Sequence, residues 1–359
     1  ALFMSAGQAD DATAWFEDTL KIDPANAAAH FNLGRMTAAA GDAEAAEGHF
    51  NAVLETQPDN AATHTALAQL AWSTGRRAEA IRRLDELANS QPDALQPRLL
   101  LARYLQAEGE GARALEVARE TATRHPENPD ALNTFGRMLF DAGQHAEALR
   151  TYEQAISLSP GNPQLLFNRA RADLALGQPD RAREALRNAL ALDPDFAAAR
   201  FALVDLDRRA GRLDAAESGL AALKQNQGAD DPGVALLEGE LLLARREPAE
   251  AVAAFEKARA GGLGSRAVVG LFQAKLQSGA PEPERVLEEA LEATPDDAPV
   301  RVLAADYYLR NQRYAEAIGH YETLVRRQPD NAALLNNLAW LYNEADDPRA
   351  LETAERAHA

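Results

Sequence analysis

The sequence predicts an all-α, superhelical solenoid of antiparallel helix pairs, about ten repeats long. Three columns of residues predict it. Pro24, Pro58, Pro92, Pro126, Pro160 and Pro194 stand 34 residues apart. Gly7, Gly41, Gly75, Gly109, Gly143, Gly177 and Gly211 keep the same period, as do Ala12, Ala46, Ala80, Ala114, Ala148, Ala182 and Ala216. Self-similarity of this length marks a repeat array. It also sets aside the expectation of two globular domains that a chain of 359 residues would otherwise carry.

Each column has a physical reading. The glycine separates two apolar-periodic stretches, where a helix ends and the chain turns through a left-handed residue. The proline ends the second stretch, because its ring cannot continue a helix. The alanine lies early in the second helix, where a larger side chain would hold helices apart. With Ala27 as position 1, positions 4, 7, 8 and 11 of the first helix share a face. In the unit from Pro129 these are Leu132, Phe135, Gly136 and Leu139. Pro129 and Pro163 occupy position 1 itself, where a helix start tolerates proline. Position 8 is small in Gly34, Ala68, Ala102, Gly136, Ala170, Gly239, Ala305 and Ala339, which predicts a close helix crossing there.

Composition narrows the function. Apolar residues are 46% and charged residues 26%, as in a folded soluble chain. No cysteine is present, which excludes disulfides, thiolate metal sites and a cysteine nucleophile. The balance of 37 basic against 55 acidic residues, −18 in all, disfavours nucleic acid as a partner. No apolar run reaches membrane-spanning length. The first residues, Ala1 to Gly7, lack the pattern of a secretory signal.

The helix, glycine turn, helix, proline turn pattern resembles the tetratricopeptide repeat over nearly the whole chain. On this resemblance 1–359 is a single solenoid. Residues 1–26 form a partial repeat, 27–230 six regular repeats, 231–297 two degenerate repeats, and 298–359 one regular and one truncated repeat. Both ends fall inside repeat units, so a fragment of a longer chain is expected. The stretch from Gln225 to Gly233 replaces the proline turn. It reads as drift in a turn, or as a change of curvature between two sub-arrays.

No catalytic, metal or cofactor constellation accompanies the repeats. The chain has no Gly-x-Ser-x-Gly, P-loop or Gly-x-Gly-x-x-Gly motif, so a non-enzyme without cofactors is expected. His30 and His64 share position 4 of adjacent units and read as packing residues. Arg169 and Asp173 stand at apolar positions 7 and 11, four apart, and are expected to pair. Asn168 matches one element of the carboxylate-gripping tetratricopeptide domains of chaperone adaptors. The units on either side offer Asn133 and Arg137, then Phe201 and Asp205, and do not complete that site. Asn32, Asn168 and Asn337 are too few for the asparagine ladder of glycosyltransferase-linked repeats.

The candidate binding face is the inner side of the first helices, positions 2, 5, 9, 12 and 13. Position 9 reads Arg35, Gln69, Arg103, Arg137 and Arg171, then turns acidic at Asp205, Glu240 and Asp306. Arg208 and Arg209 extend the basic side at positions 12 and 13. Phe31, Trp72, Phe140, Phe167 and Phe201 supply flat apolar contacts, and Asn133 an amide. Arginines stacked at helix spacing suit carboxylates, which predicts a groove for an acidic or extended peptide, or for an anionic polysaccharide. The plainer reading pairs each arginine with a neighbouring carboxylate, Arg137 with Asp130 or Asp141 for example.

The C-terminal segment Leu335-Asn336-Asn337-Leu338-Ala339-Trp340-Leu341-Tyr342, followed by Asp347-Pro348-Arg349-Ala350-Leu351, is similar to the last repeats of one bacterial family. These are the tetratricopeptide lipoproteins of the exosortase (PEP-CTERM) system. The resemblance implies a scaffold in the bacterial cell envelope, periplasmic or lipid-anchored, supporting exopolysaccharide export or protein sorting. The alternatives are a cytoplasmic location and a repeat domain that regulates or targets an attached enzyme such as a glycosyltransferase.

Overall fold

The computed structural model describes residues 9–358. Among these residues there are twenty-one α-helices and no strand. Gly7, the first glycine of the turn column, lies outside them. The chain divides into two compact units, Ala1–Leu192 and Asp193–Ala359. The boundary falls inside the stretch read as six regular repeats, not at the irregular turn near Gln225.

The first unit holds α1 (Ala9–Ile22), α2 (Ala27–Ala39), α3 (Ala43–Thr56), α4 (Ala61–Ser73), α5 (Arg77–Ser90), α6 (Leu95–Ala107), α7 (Gly111–Arg124), α8 (Pro129–Asp141), α9 (His145–Leu158), α10 (Pro163–Ala175) and α11 (Pro179–Leu192). The second holds α12 (Ala197–Arg209), α13 (Leu213–Gln227), α14 (Pro232–Ala244), α15 (Pro248–Ala260), α16 (Gly264–Ser278), α17 (Arg285–Ala293), α18 (Ala298–Arg310), α19 (Tyr314–Arg327), α20 (Ala332–Glu344) and α21 (Ala350–His358).

The turns explain the sequence columns. The first helix of each regular repeat ends on a glycine in the left-handed region, from Gly177 at φ 71° to Gly41 at 87°. In the second unit Gly211 and Gly279 keep this turn, whereas Arg246, Gln312 and Asp346 adopt the same region at the other corresponding turns without being glycine. In most repeats an asparagine or aspartate ahead of the first helix caps it, but α6, α12 and α16 have no side-chain cap. Asn26 accepts from the Ala29 amide at 3.0 Å, Asn60 from Thr63 at 2.9 Å and Asp297 from Val300 at 3.1 Å. Position 4 ties down the preceding proline turn. His30, His64, Arg200 and Arg301 each bond the carbonyl of the proline six residues earlier, at 2.6 to 3.0 Å.

Packing within a repeat is a match of sizes. Gly34, Gly136 and Gly239 lie against the rings of Phe50, Tyr152 and Phe255, all buried on the second helix. A Cβ on Gly136 would stand 2.6 Å from the Tyr152 ring. In the repeat beginning at Ala197 the order is reversed: Val204 occupies position 8 and Gly219 makes room for it on α13. Phe255 is also covered from the next repeat by Gly270, so the degenerate repeats keep a dense core.

The first helices also touch one another. In the first unit α2 meets α4, α4 meets α6, α6 meets α8 and α8 meets α10. In the second, α12, α14, α16 and α18 do the same. The result is a continuous inner wall in each unit.

Candidate functional site

In the first unit the inner wall opens into a cleft of about 300 Å³ across α4, α6 and α8. Thr65 and Gln69 come from α4, Gln96 and Arg103 from α6, and Asp130, Asn133, Thr134 and Arg137 from α8. Three predicted residues, Arg103, Arg137 and Asn133, therefore meet in one place. Arg103 is exposed and Arg137 half-buried. Among the described residues neither guanidinium is ion-paired, and the predicted partners Asp130 and Asp141 do not engage Arg137. Asn133 Oδ1 accepts a 2.8 Å bond from Asn168 Nδ2. Burial pushes the phenol of Tyr152 up, and the charges of Arg171 and Arg137 oppose this, so both cations are felt at the core behind the wall.

The other candidates lie elsewhere on the wall. Arg171 sits over the Phe140 ring at 4.4 Å, a cation–π contact that joins two predicted residues. Arg35 is exposed on α2. Phe31 packs on Phe50 at 5.9 Å, and Trp72 stacks on Tyr104 at 3.8 Å, with Arg77 also 5.2 Å from its ring centroid. Phe31 and Trp72 are thus half-buried packing residues. Phe167 is half-buried on α10.

In the second unit the arginines are neutralised. Arg209 pairs with Asp205 at 2.8 Å, and Arg208 with Asp205 at 2.6 Å and with Glu240 at 3.1 Å. Arg266 grips Glu240 through two bonds of 2.8 and 2.9 Å. For Arg208 and Arg209 the plainer reading describes the geometry, because position 9 brings carboxylates alongside them. Phe201 is half-buried against α14, beside Gly233.

The other polar residues are structural in placement. His30 approaches His49, not His64, with Nδ1 atoms 3.0 Å apart. Burial and the neighbouring His30 both hold the His49 pKa down. Asp173, fully buried, lies 3.5 Å from Arg169 and 3.8 Å from Arg181. Among the described residues no group of three His, Cys, Asp or Glu is placed to hold a metal ion. No described helix is long and apolar enough to cross a membrane.

A tetratricopeptide-repeat profile matches residues 37–104, 139–188, 174–241 and 284–341, and a second profile of the same description matches 2–61 and 99–163. The chain belongs to the tetratricopeptide-repeat family. Solved structures share the fold. One is a tetratricopeptide repeat protein from Parabacteroides merdae, with 17% identity, 70% of this chain and 98% of that one covered, and a TM-score of 0.55. Human IFIT1, solved as a dimer with PPP-AAAA, is 18% identical over 99% of this chain and 94% of its own, at 0.54. Yeast Tom70 is 15% identical over 99% and 93%, at 0.51. No curated protein matches the chain.

Tetratricopeptide repeats are interaction scaffolds for protein or peptide partners, and the profiles indicate no catalytic family. Within this tetratricopeptide array, sequence reasoning missed the link from Asn168 to Asn133. The two residues stand one repeat apart at positions 6 and 5, and that near-repeat spacing was the available signal. It also missed the pairing of Arg208 with Glu240, which needs the position-12 side chain to reach position 9 of the next first helix.

Proposed function

We propose that the chain is a non-catalytic scaffold whose first unit holds an acidic, extended peptide segment in the cleft of α4, α6 and α8. Arg103 and Arg137 take its carboxylates. The supporting observation is that these two guanidiniums share a concave site and, among the described residues, neither is ion-paired, not even to Asp130 in the same lining, in a chain whose net charge is −18. A cation left unpaired on so acidic a molecule is a place for an external anion, and its fork suits a carboxylate. Arg171 lies on the next first helix and lengthens the basic row.

The test is binding of a labelled Glu-rich peptide and of its Gln counterpart. The Glu peptide is expected to bind more tightly. Replacing Arg103, Arg137 and Arg171 together by Glu should weaken it by about a hundredfold or more, taking ~1.5–3 kcal/mol for each charged contact. Arg82→Glu, Arg150→Glu and Arg187→Glu together, all on exposed sites, make the same change in net charge and serve as the control. Unchanged affinity in the triple variant would end this reading. A polyuronate that competes for the wild-type cleft better than the peptide would make an anionic polysaccharide the ligand instead.

In the same reading the chain works in the bacterial cell envelope, in support of exopolysaccharide export or protein sorting. Its support is the resemblance carried by Leu335 to Tyr342 and Asp347 to Leu351. Recovery of the native protein wholly in the cytosolic fraction would remove it while leaving the peptide cleft intact.

A further inference from the structure

The cleft has an amide in its lining as well as Arg103, Arg137 and Asp130. Asn133, half-buried on α8, has its Oδ1 held by Asn168 Nδ2 at 2.8 Å. Asn168 lies on α10 and is only 2% exposed. Its own Oδ1 accepts from Gln164 Nε2 at 3.1 Å. Three amides thus form a directed relay, Gln164 to Asn168 to Asn133, that crosses from one repeat to the one before it. A buried amide is costly unless its polar ends are bonded. At its nitrogen Asn168 meets that demand by bonding a side chain that lines the cleft. With its oxygen occupied, Asn133 turns its NH2 end away from Asn168. Among the described residues that nitrogen donates to no protein acceptor.

We propose that Asn168 is a positioning residue for the peptide cleft: it orients Asn133 so that an N–H donor meets a main-chain carbonyl of the bound segment, next to the carboxylate held by Arg103 and Arg137. The inference rests on the cleft reading above and adds to it. A main-chain carbonyl is available to a side-chain donor when the segment is extended, because a helix uses its own carbonyls. The ligand class is therefore an extended acidic segment, and an acidic helix is disfavoured.

The relay has a polarity that one atom can reverse. In Asn168→Asp both neighbours must donate to the new carboxylate. Gln164 already does. Asn133 must turn over and present its oxygen to the cleft, where it faces another oxygen. The experiment uses the full chain and the labelled Glu-rich peptide. Asn168→Asp is expected to weaken binding about tenfold, the scale of one hydrogen bond lost. The same change on an Asn133→Ala background is expected to alter affinity less than about twofold, because no amide remains to be reversed. Equal weakening in both backgrounds would show that the added charge acts directly, and would overturn the relay. No weakening in the wild-type background would overturn it too. Should Asn168→Asp lose its helical circular dichroism, Asn168→Ala serves in the same cycle. It frees Asn133 to rotate and is expected to cost several-fold, again only when Asn133 is present. If the Arg103, Arg137 and Arg171 variant abolishes binding while these cycles show no coupling, the relay fails and the cleft stands. If that variant binds unchanged, both fail.

Discussion

At the scale of single residues, Asp173 is the group most out of place. It is fully buried, and neither carboxylate oxygen has a hydrogen-bond donor. Burial raises its pKa above the ordinary 3.8. The nearby Arg169 and Arg181 oppose this, and Glu153 adds to it. A raised pKa means that the folded chain binds this proton more tightly than the unfolded chain. Stability on this account falls as pH rises from 3.8 through the folded value, and is level above it. Both arginines retain some access to water, so removing the carboxylate does not strand a buried cation. Asp173→Asn is therefore expected to raise Tm by about 2–4 °C at pH 7, on the scale of ~1 kcal/mol, and by less near pH 3.5. Thermal melts at the two pH values check this; an equal gain at both would mean that charge is not the cause.

At the scale of the helix pair, the decisive feature is the fit of position 8 to the ring opposite. Gly136→Ala places a methyl 2.6 Å from a ring that is 1% exposed. Such overpacking costs about 1–3 kcal/mol. The next repeat shows the alternative solution, with Ala170 and Leu186 at the corresponding positions, both fully buried. Tyr152→Leu added to Gly136→Ala is expected to recover part of the loss, and denaturant melts of the four variants measure the coupling. Additive losses would mean that the two side chains do not compete for one volume. This pairing was only half legible in the sequence. The small residue at position 8 predicts a close crossing, but the partner ring stands sixteen residues on and its size varies. The turn glycines were fully legible, since a left-handed residue after a helix leaves a fixed period. Their continuation through Arg246, Gln312 and Asp346 was not, because those residues bear no mark of the conformation they adopt.

At the scale of the whole molecule, the repeats and the solenoid architecture were readable because helices pack on their neighbours and do so at one recurring spacing. The candidate face was readable as a column, but which of its charges are paired was not. Position 9 places arginines at 103 and 137 and carboxylates at 205 and 240. Whether a given arginine is quenched depends on carboxylates on its own helix, as Asp205 for Arg209, and on side chains about one repeat away. Arg208 finds Glu240, and Arg103 finds none. The net charge of −18 therefore misdescribes position 9 of the first unit, which reads Arg35, Gln69, Arg103, Arg137 and Arg171. Binding of the Glu-rich peptide there should weaken as salt rises, since exposed charges are screened within about 8–10 Å at physiological ionic strength.

The matching of glycine to ring has a consequence for how such an array can change over generations. A repeat gene grows and diversifies by unequal exchange between its own copies. An exchange at a proline turn moves a first helix together with the second helix that it fits. An exchange at a glycine turn separates them. Joining α4 to α3, for example, would set the methyl of Ala68 where Gly34 leaves room for Phe50. The helix pair that shares one cavity is thus the unit that such an exchange can move without creating a clash.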